Sequence, residues 1–178
     1  MAIVFGDFDV SDFWKQSEYA RKEYTDVAPD DLTIARLEAQ LGYKLPPAYV
    51  ELARVHNGGL PHNTCHRTRE RTSWALDHAA VTGIYSIGDR KRCSLGSGMG
   101  SQFKIDEWGY PPIGVYFADC PSAGHDMICL DYRACGPRGE PQIVHIDQEF
   151  DYKITFVAPS FEAFIRGLEH EDAFPLDP

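Results

Sequence analysis

Four β-type runs occupy the second half of the chain, Ile113 to Ala118, Met127 to Tyr132, Gln142 to Ile146 and Tyr152 to Val157, with only short turn-forming stretches between them. A parallel pair needs a crossover of a dozen or more residues. Pro121-Ser122-Ala123-Gly124 and Gly136-Pro137-Arg138-Gly139 are breakers that turn the chain straight back. The runs therefore predict an antiparallel meander. Alternation puts Ile113, Val115 and Phe117 on one face of their run, and likewise Tyr152, Ile154 and Phe156.

Helical patterns flank this meander. Val10 to Tyr24 reads as a first helix containing Phe13, Trp14 and Ala20. Asp30 or Asp31 can cap a second, with Ile34, Leu37 and Leu41 on one stripe and Gly42 as its stop. Pro46-Pro47 opens a third, lined by Tyr49, Leu52, Ala53 and His56, and Asn57-Gly58-Gly59 ends it. Leu60 to Ser73 reads as a polar loop, followed by short strand-like pieces at Trp74 to Leu76 and Val81 to Ile87. A last helix is capped by Ser160 and repeats Phe161, Phe164, Ile165 and Leu168 at helical spacing. Helices first, meander second and a closing helix last predict a single α+β domain over residues 1–178: N-terminal helices, a mostly antiparallel twisted sheet and a C-terminal helix packed on it.

The chain has 178 residues, enough to bury a core without metal or disulfide, and its 43% hydrophobic content is that of a globular protein. No stretch has the roughly 18 apolar residues of a bilayer span. Met1 to Val10 lacks the basic segment of a signal peptide, and the expected location is cytoplasmic. The formal charge of −10 argues against a nucleic-acid partner and for a basic one. That charge is concentrated late, since Asp147 to Pro178 holds eight acids against two bases. His66 to Arg71 and Asp89 to Arg92 are locally basic and read as solvated loops.

Several residue clusters could carry chemistry, and their spacing decides against most of them. His62, Cys65 and His66 are zinc-competent, with Cys93 as an imaginable fourth ligand, but no second spaced pair accompanies them. The five cysteines form no CxxC and read as reduced thiols, so no metal or cofactor is expected. The glycine-rich stretch from Gly96 to Gly100 lacks the GKS/T ending and the GxGxxG spacing of phosphate loops, and reads as a mobile loop near a sheet edge. No GxSxG elbow or protease-type cysteine signature occurs, and no catalytic residue is assigned.

Folding the meander strand by strand brings the upper ends of its runs together. Asp119, His125, Asp126, Asp147, Glu149 and Asp151 then gather along one rim. Carboxylates at close quarters repel unless they meet a cation, a basic surface or backbone donors. The rim is thus a candidate partner-binding surface, with aspartates bonding their own turns as the plainer alternative.

Leu41-Gly42-Tyr43-Lys44-Leu45-Pro46-Pro47-Ala48-Tyr49 through Asn57-Gly58-Gly59 resembles the SUKH superfamily, which includes the fungal Smi and Knr cell-wall regulators. The likeness resumes at Ile113 to Asp119, runs through Gly124 to Arg133, and ends with Phe161 to Ile165, covering roughly Leu32 to Leu168. The resemblance implies a binding fold without a transferable catalytic set. Its bacterial members look like immunity proteins that block toxins, and its fungal members like interaction hubs. On that basis the expected function is a non-catalytic protein-binding domain, an immunity protein neutralising a toxin in the producing cell. A basic toxin domain suits the acidic rim. The alternatives are a metal-assisted hydrolase using Asp119, His125, Asp126, His145 and Asp147, and a toxin-independent intracellular scaffold.

Overall fold

The computed structural model describes residues 3–175. Within them, the expected α+β architecture is present. The chain runs through α1 (Glu18–Glu23), α2 (Asp31–Leu41), α3 (Pro47–Val55), β1 (Cys65–Arg67), β2 (His78–Ala80), β3 (Gly83–Ile84) and α4 (Ser101–Asp106). It continues through β4 (Gly114–Asp119), β5 (Asp126–Asp131), β6 (Gln142–Asp147), β7 (Lys153–Ala158) and α5 (Phe161–Gly167). β3 to β7 form one antiparallel sheet in sequence order, and β1 and β2 form a separate antiparallel hairpin. The four-run meander is therefore its last four strands. No helix among the described residues is long and apolar enough to cross a membrane.

The helix signals act through their caps. Asp30 Oδ1 accepts the Thr33 N–H at 2.8 Å to start α2, and Gly42 ends it in the left-handed region. Ser160 Oγ accepts the Ala163 N–H at 3.1 Å to start α5. The expected single helix from Val10 to Tyr24 is instead broken. Val10–Asp12 is a 3-10 turn, and α1 begins only after Ser17, whose hydroxyl accepts the Ala20 N–H. Between them Trp14 is drawn into a bridge with Pro61 and buried, so core packing overrides local helical tendency.

Three further readings change. Leu60 to Ser73 contains β1. Trp74 to Leu76 is not a strand but a bend, with Trp74 and Leu76 exposed. The stretch from Gly96 to Gly100 is close-packed at Gly96 and Gly100 but exposed at Gly98 and Met99, and it leads into α4, which the periodicity had not revealed. A side chain at Gly96 would press on Leu37 Cδ2 at 2.4 Å, which is why the turn carries glycine there.

Residues of the Asn57-Gly58-Gly59 corner tie the helices to the sheet. Asn57 Nδ2 donates to Val27 O at 2.8 Å and to Ile87 O at 3.1 Å, and its Oδ1 accepts the Ile87 N–H at 2.8 Å. Gly58 has φ +82°, and a Cβ there would meet the backbones of Ser86 and Tyr24 below 3 Å. Tyr49 stacks on Phe161 at 4.5 Å and donates its hydroxyl to Tyr85 O.

Layers cover both faces of the sheet. Phe117 shares Val115's face and packs against Phe161 and Phe164 of α5. Tyr116 points the other way, its ring meeting Tyr110, while its N–H donates to Ser101 Oγ of α4 at 2.9 Å. Every residue of β5 is consequently buried. The edge strand β7 departs from this pattern. Tyr152, Ile154 and Phe156 do share one face, Ile154 pairing with Ile146 and Phe156 with Val144, but beside the register shift Phe156 is 42% exposed.

Candidate functional site

The meander does bring its upper strand ends together, but it sorts the six rim residues into three environments. Asp126 pairs with Asp147 in the ladder, and Asp119 pairs with Met127. Paired residues share a face and sequence neighbours alternate, so Asp126 and Asp147 project from one face and Asp119 from the other.

On the α5 face, Asp126 is buried. Its Oδ2 accepts from His145 Nε2 at 2.7 Å, and its Oδ1 accepts the Ser122 hydroxyl. Burial pushes this carboxyl up, but the His145 and Ser122 hydrogen bonds outweigh it and hold it below the ordinary carboxylate value. Asp147 is equally buried. Its Oδ2 accepts the Ser73 N–H at 2.7 Å, and its Oδ1 accepts the Glu149 N–H at 3.1 Å, capping the 3-10 turn Gln148–Phe150. On the opposite face Asp119 accepts the Tyr24 hydroxyl at 2.7 Å and the Gly83 N–H at 3.1 Å. Burial raises its carboxyl above the ordinary value, and the Tyr24 bond and the Lys104 cation offset only part of that. These three aspartates latch the strand ends to Tyr24, Gly83, Ser122, His145 and Ser73.

The remaining three residues face solvent. His125 Nδ1 donates to Glu149 Oε1, and both side chains are more than half exposed. Asp151 is exposed with a left-handed backbone, and Phe150 beside it is also exposed. The Arg71 guanidinium lies 5.9 Å over the Phe150 ring, and Lys153 Nζ donates to Arg71 O at 2.9 Å. The loop through Arg71, Ser73 and Trp74 thus drapes across the rim. Sequence reading gave Ser73 and Trp74 no site role, because nothing in a polar loop foretells which strand end it will meet.

Among the described residues, one group of donors has metal-ligand proximity: Cys120, Asp126 and His145, within 4.8 Å of one another. Their chemistry suits a zinc-like ion, with the Asp126–Ser122 contact nearby. Their geometry does not. Ligands about 2.0–2.3 Å from a tetrahedral ion lie over 3 Å apart, whereas His145 Nε2 and Asp126 Oδ2 have closed to 2.7 Å. Burial and the nearby carboxylates also push the Cys120 thiol well up, keeping it protonated. The loop cluster of His62, Cys65, His66 and Cys93 is dispersed into other tasks. His66 stacks on Phe164, Cys65 is buried in β1, and the Cys93 N–H donates to Glu23 O.

The fold and the rim define a class: an α+β domain with a meander sheet covered on both faces, with Glu149, Phe150 and Asp151 exposed at one end of its strands. The sequence matches the SUKH_6 family, described as SMI1-KNR4 cell-wall, over residues 31–165. The chain belongs to this family. No curated protein matches it. The match spans the Asn57 corner, the meander and α5 up to Ile165, the segments on which the resemblance rested.

Proposed function

We propose that this chain is a non-catalytic protein-binding domain that acts in the cytoplasm of a bacterial cell as an immunity protein, neutralising a toxin with a basic surface. Family membership supports an immunity- or regulator-like role. One observation carries the choice of binding over catalysis: Asp126 and His145, the pair that a hydrolase would need, are sealed at 1% and 0% exposure, and the exposed pair His125 with Glu149 lies apart from them. A hydrolase built on Asp119, His125, Asp126, His145 and Asp147 needs these groups to converge on substrate. Asp119 lies on the opposite face from Asp126, and His125 is outside with Glu149, so they do not converge. What the rim offers instead is His125, Glu149, Asp151 and Phe150, all solvent-facing. Exposed charge of one sign raises the encounter rate with a basic partner while contributing little to stability.

The test is affinity capture from the native host with mass spectrometry, followed by binding measurements on Glu149→Lys with Asp151→Lys. The double variant is expected to keep its circular dichroism spectrum and weaken the captured partner's binding by at least about tenfold, roughly 1.4 kcal/mol. Rising salt should slow association of the parent. A captured toxin supports immunity, and a captured housekeeping protein supports the toxin-independent scaffold. Unchanged affinity in the folded double variant removes the rim from the interface.

A further inference from the structure

Next to the rim, a cleft of about 940 Å³ separates the loop between β1 and β2 from the C-terminal segment. Its floor includes Cys65, Val81 and Pro121. One wall is the bend at Trp74 to Asp77, where Trp74 is 49% and Leu76 57% exposed. The other is the 3-10 turn Glu171–Ala173 with Phe174. This second wall is anchored, because Phe174 packs on the His78 ring at 4.3 Å with the Arg67 guanidinium 4.6 Å from its centroid.

The lining is aromatic and acidic together. Asp77, Glu171 and Asp172 border the cleft against one full cation, Arg71, whose guanidinium lies over Phe150 of the rim. Asp77 and Asp172 meet only histidines, His78 at 2.8 Å and His170 at 3.3 Å, and Glu171 makes no ion pair among the described residues. A half-exposed indole lining the same cleft as these carboxylates makes a good receptor for a planar cation. The indole face attracts positive charge, and carboxylates take a guanidinium in forked hydrogen bonds. Lysine has neither the plane nor the fork.

We propose that this cleft receives an arginine-bearing segment of the partner protein, its guanidinium stacked on Trp74 and bonded to Glu171 and Asp172. The assignment rests on the protein-binding reading and adds to it the chemistry of the bound residue. It also places the contact beyond the rim, on the loop that Ser73 and Asp147 hold in position.

The test uses the full chain and two charge-matched probes, hexa-arginine and hexa-lysine peptides, in calorimetric titrations. Hexa-arginine is expected to bind about tenfold more tightly than hexa-lysine. Trp74→Ala should abolish that preference and Trp74→Phe should retain most of it. Glu171→Gln with Asp172→Asn should weaken both peptides, whereas Glu149→Gln with Asp151→Asn, removing the same charge from the rim, should change the preference less than about twofold. Equal binding of the two peptides by the parent, or a preference untouched by Trp74→Ala, overturns the cleft assignment. The two readings fail differently. If the native partner is lost on rim charge reversal but binds the Trp74 and Glu171 variants as it binds the parent, the cleft is wrong and protein binding stands. If the parent captures no partner, the broader reading falls.

Discussion

Asp119 and Asp126 are seven positions apart, close to the same sheet end, and opposite in electrostatic character. Asp126 is held below the ordinary carboxyl value of 3.8 because His145 and Ser122 overcome its burial, whereas burial of Asp119 wins over its donors. The consequences for stability have opposite signs. A depressed carboxyl contributes stability that is complete above its unfolded value and is lost as pH falls through its lower folded value. A raised one costs stability while ionised, and protonation on acidification relieves it. Asp126→Asn should therefore lose about 1.5–3 kcal/mol near neutral pH, the worth of hydrogen bonds to a charged group, and show a flatter decline into acid. Asp119→Asn should show a steeper one. Urea midpoints from about pH 7 to pH 3 measure both, and parallel profiles for the two variants would contradict this account.

At the scale of elements, α5 closes the core over the sheet. Phe164 is fully buried, meets Phe117 edge-on at 5.5 Å and stacks on His66 at 5.6 Å. Phe164→Ala should cost about 3–5 kcal/mol in denaturant unfolding, since it removes apolar burial and leaves a cavity. A variant as stable as the parent would make α5 peripheral. This helix, α2 and the meander were legible because cap, stripe and stop agree within each segment, and because short turns leave antiparallel pairing as the one option. Elements set by distant partners were not. Trp14 leaves its helix for Pro61, Cys65 to Arg67 become a strand through His78 to Ala80, and α4 depends on a turn fitted against Leu37. The rim shows the same division. Its six members were readable from topology. The face each would occupy depended on ladder register, which no composition reveals.

For the whole molecule, all five cysteines are free and four are buried, so the core holds without a covalent staple. Chelator and reductant should each shift the thermal midpoint by less than about 2 °C. A fall of more than about 10 °C with chelator would represent several kcal/mol in a domain of this size, and would require Cys120, Asp126 and His145 to open around an ion.

Because both faces of β5 are covered, a mutation in the sheet interior has little chance of altering recognition without also altering folding. The loop through Trp74 and the turn through Phe150 are free of that constraint at their tips, while Ser73 N–H and Glu149 N–H fasten their bases to one carboxylate, Asp147. Such an arrangement separates a fixed clasp from an exchangeable display. Under the proposed binding role, partner choice can then drift by substitution at the tips, at almost no thermodynamic expense, provided that Asp147 keeps its grip on both.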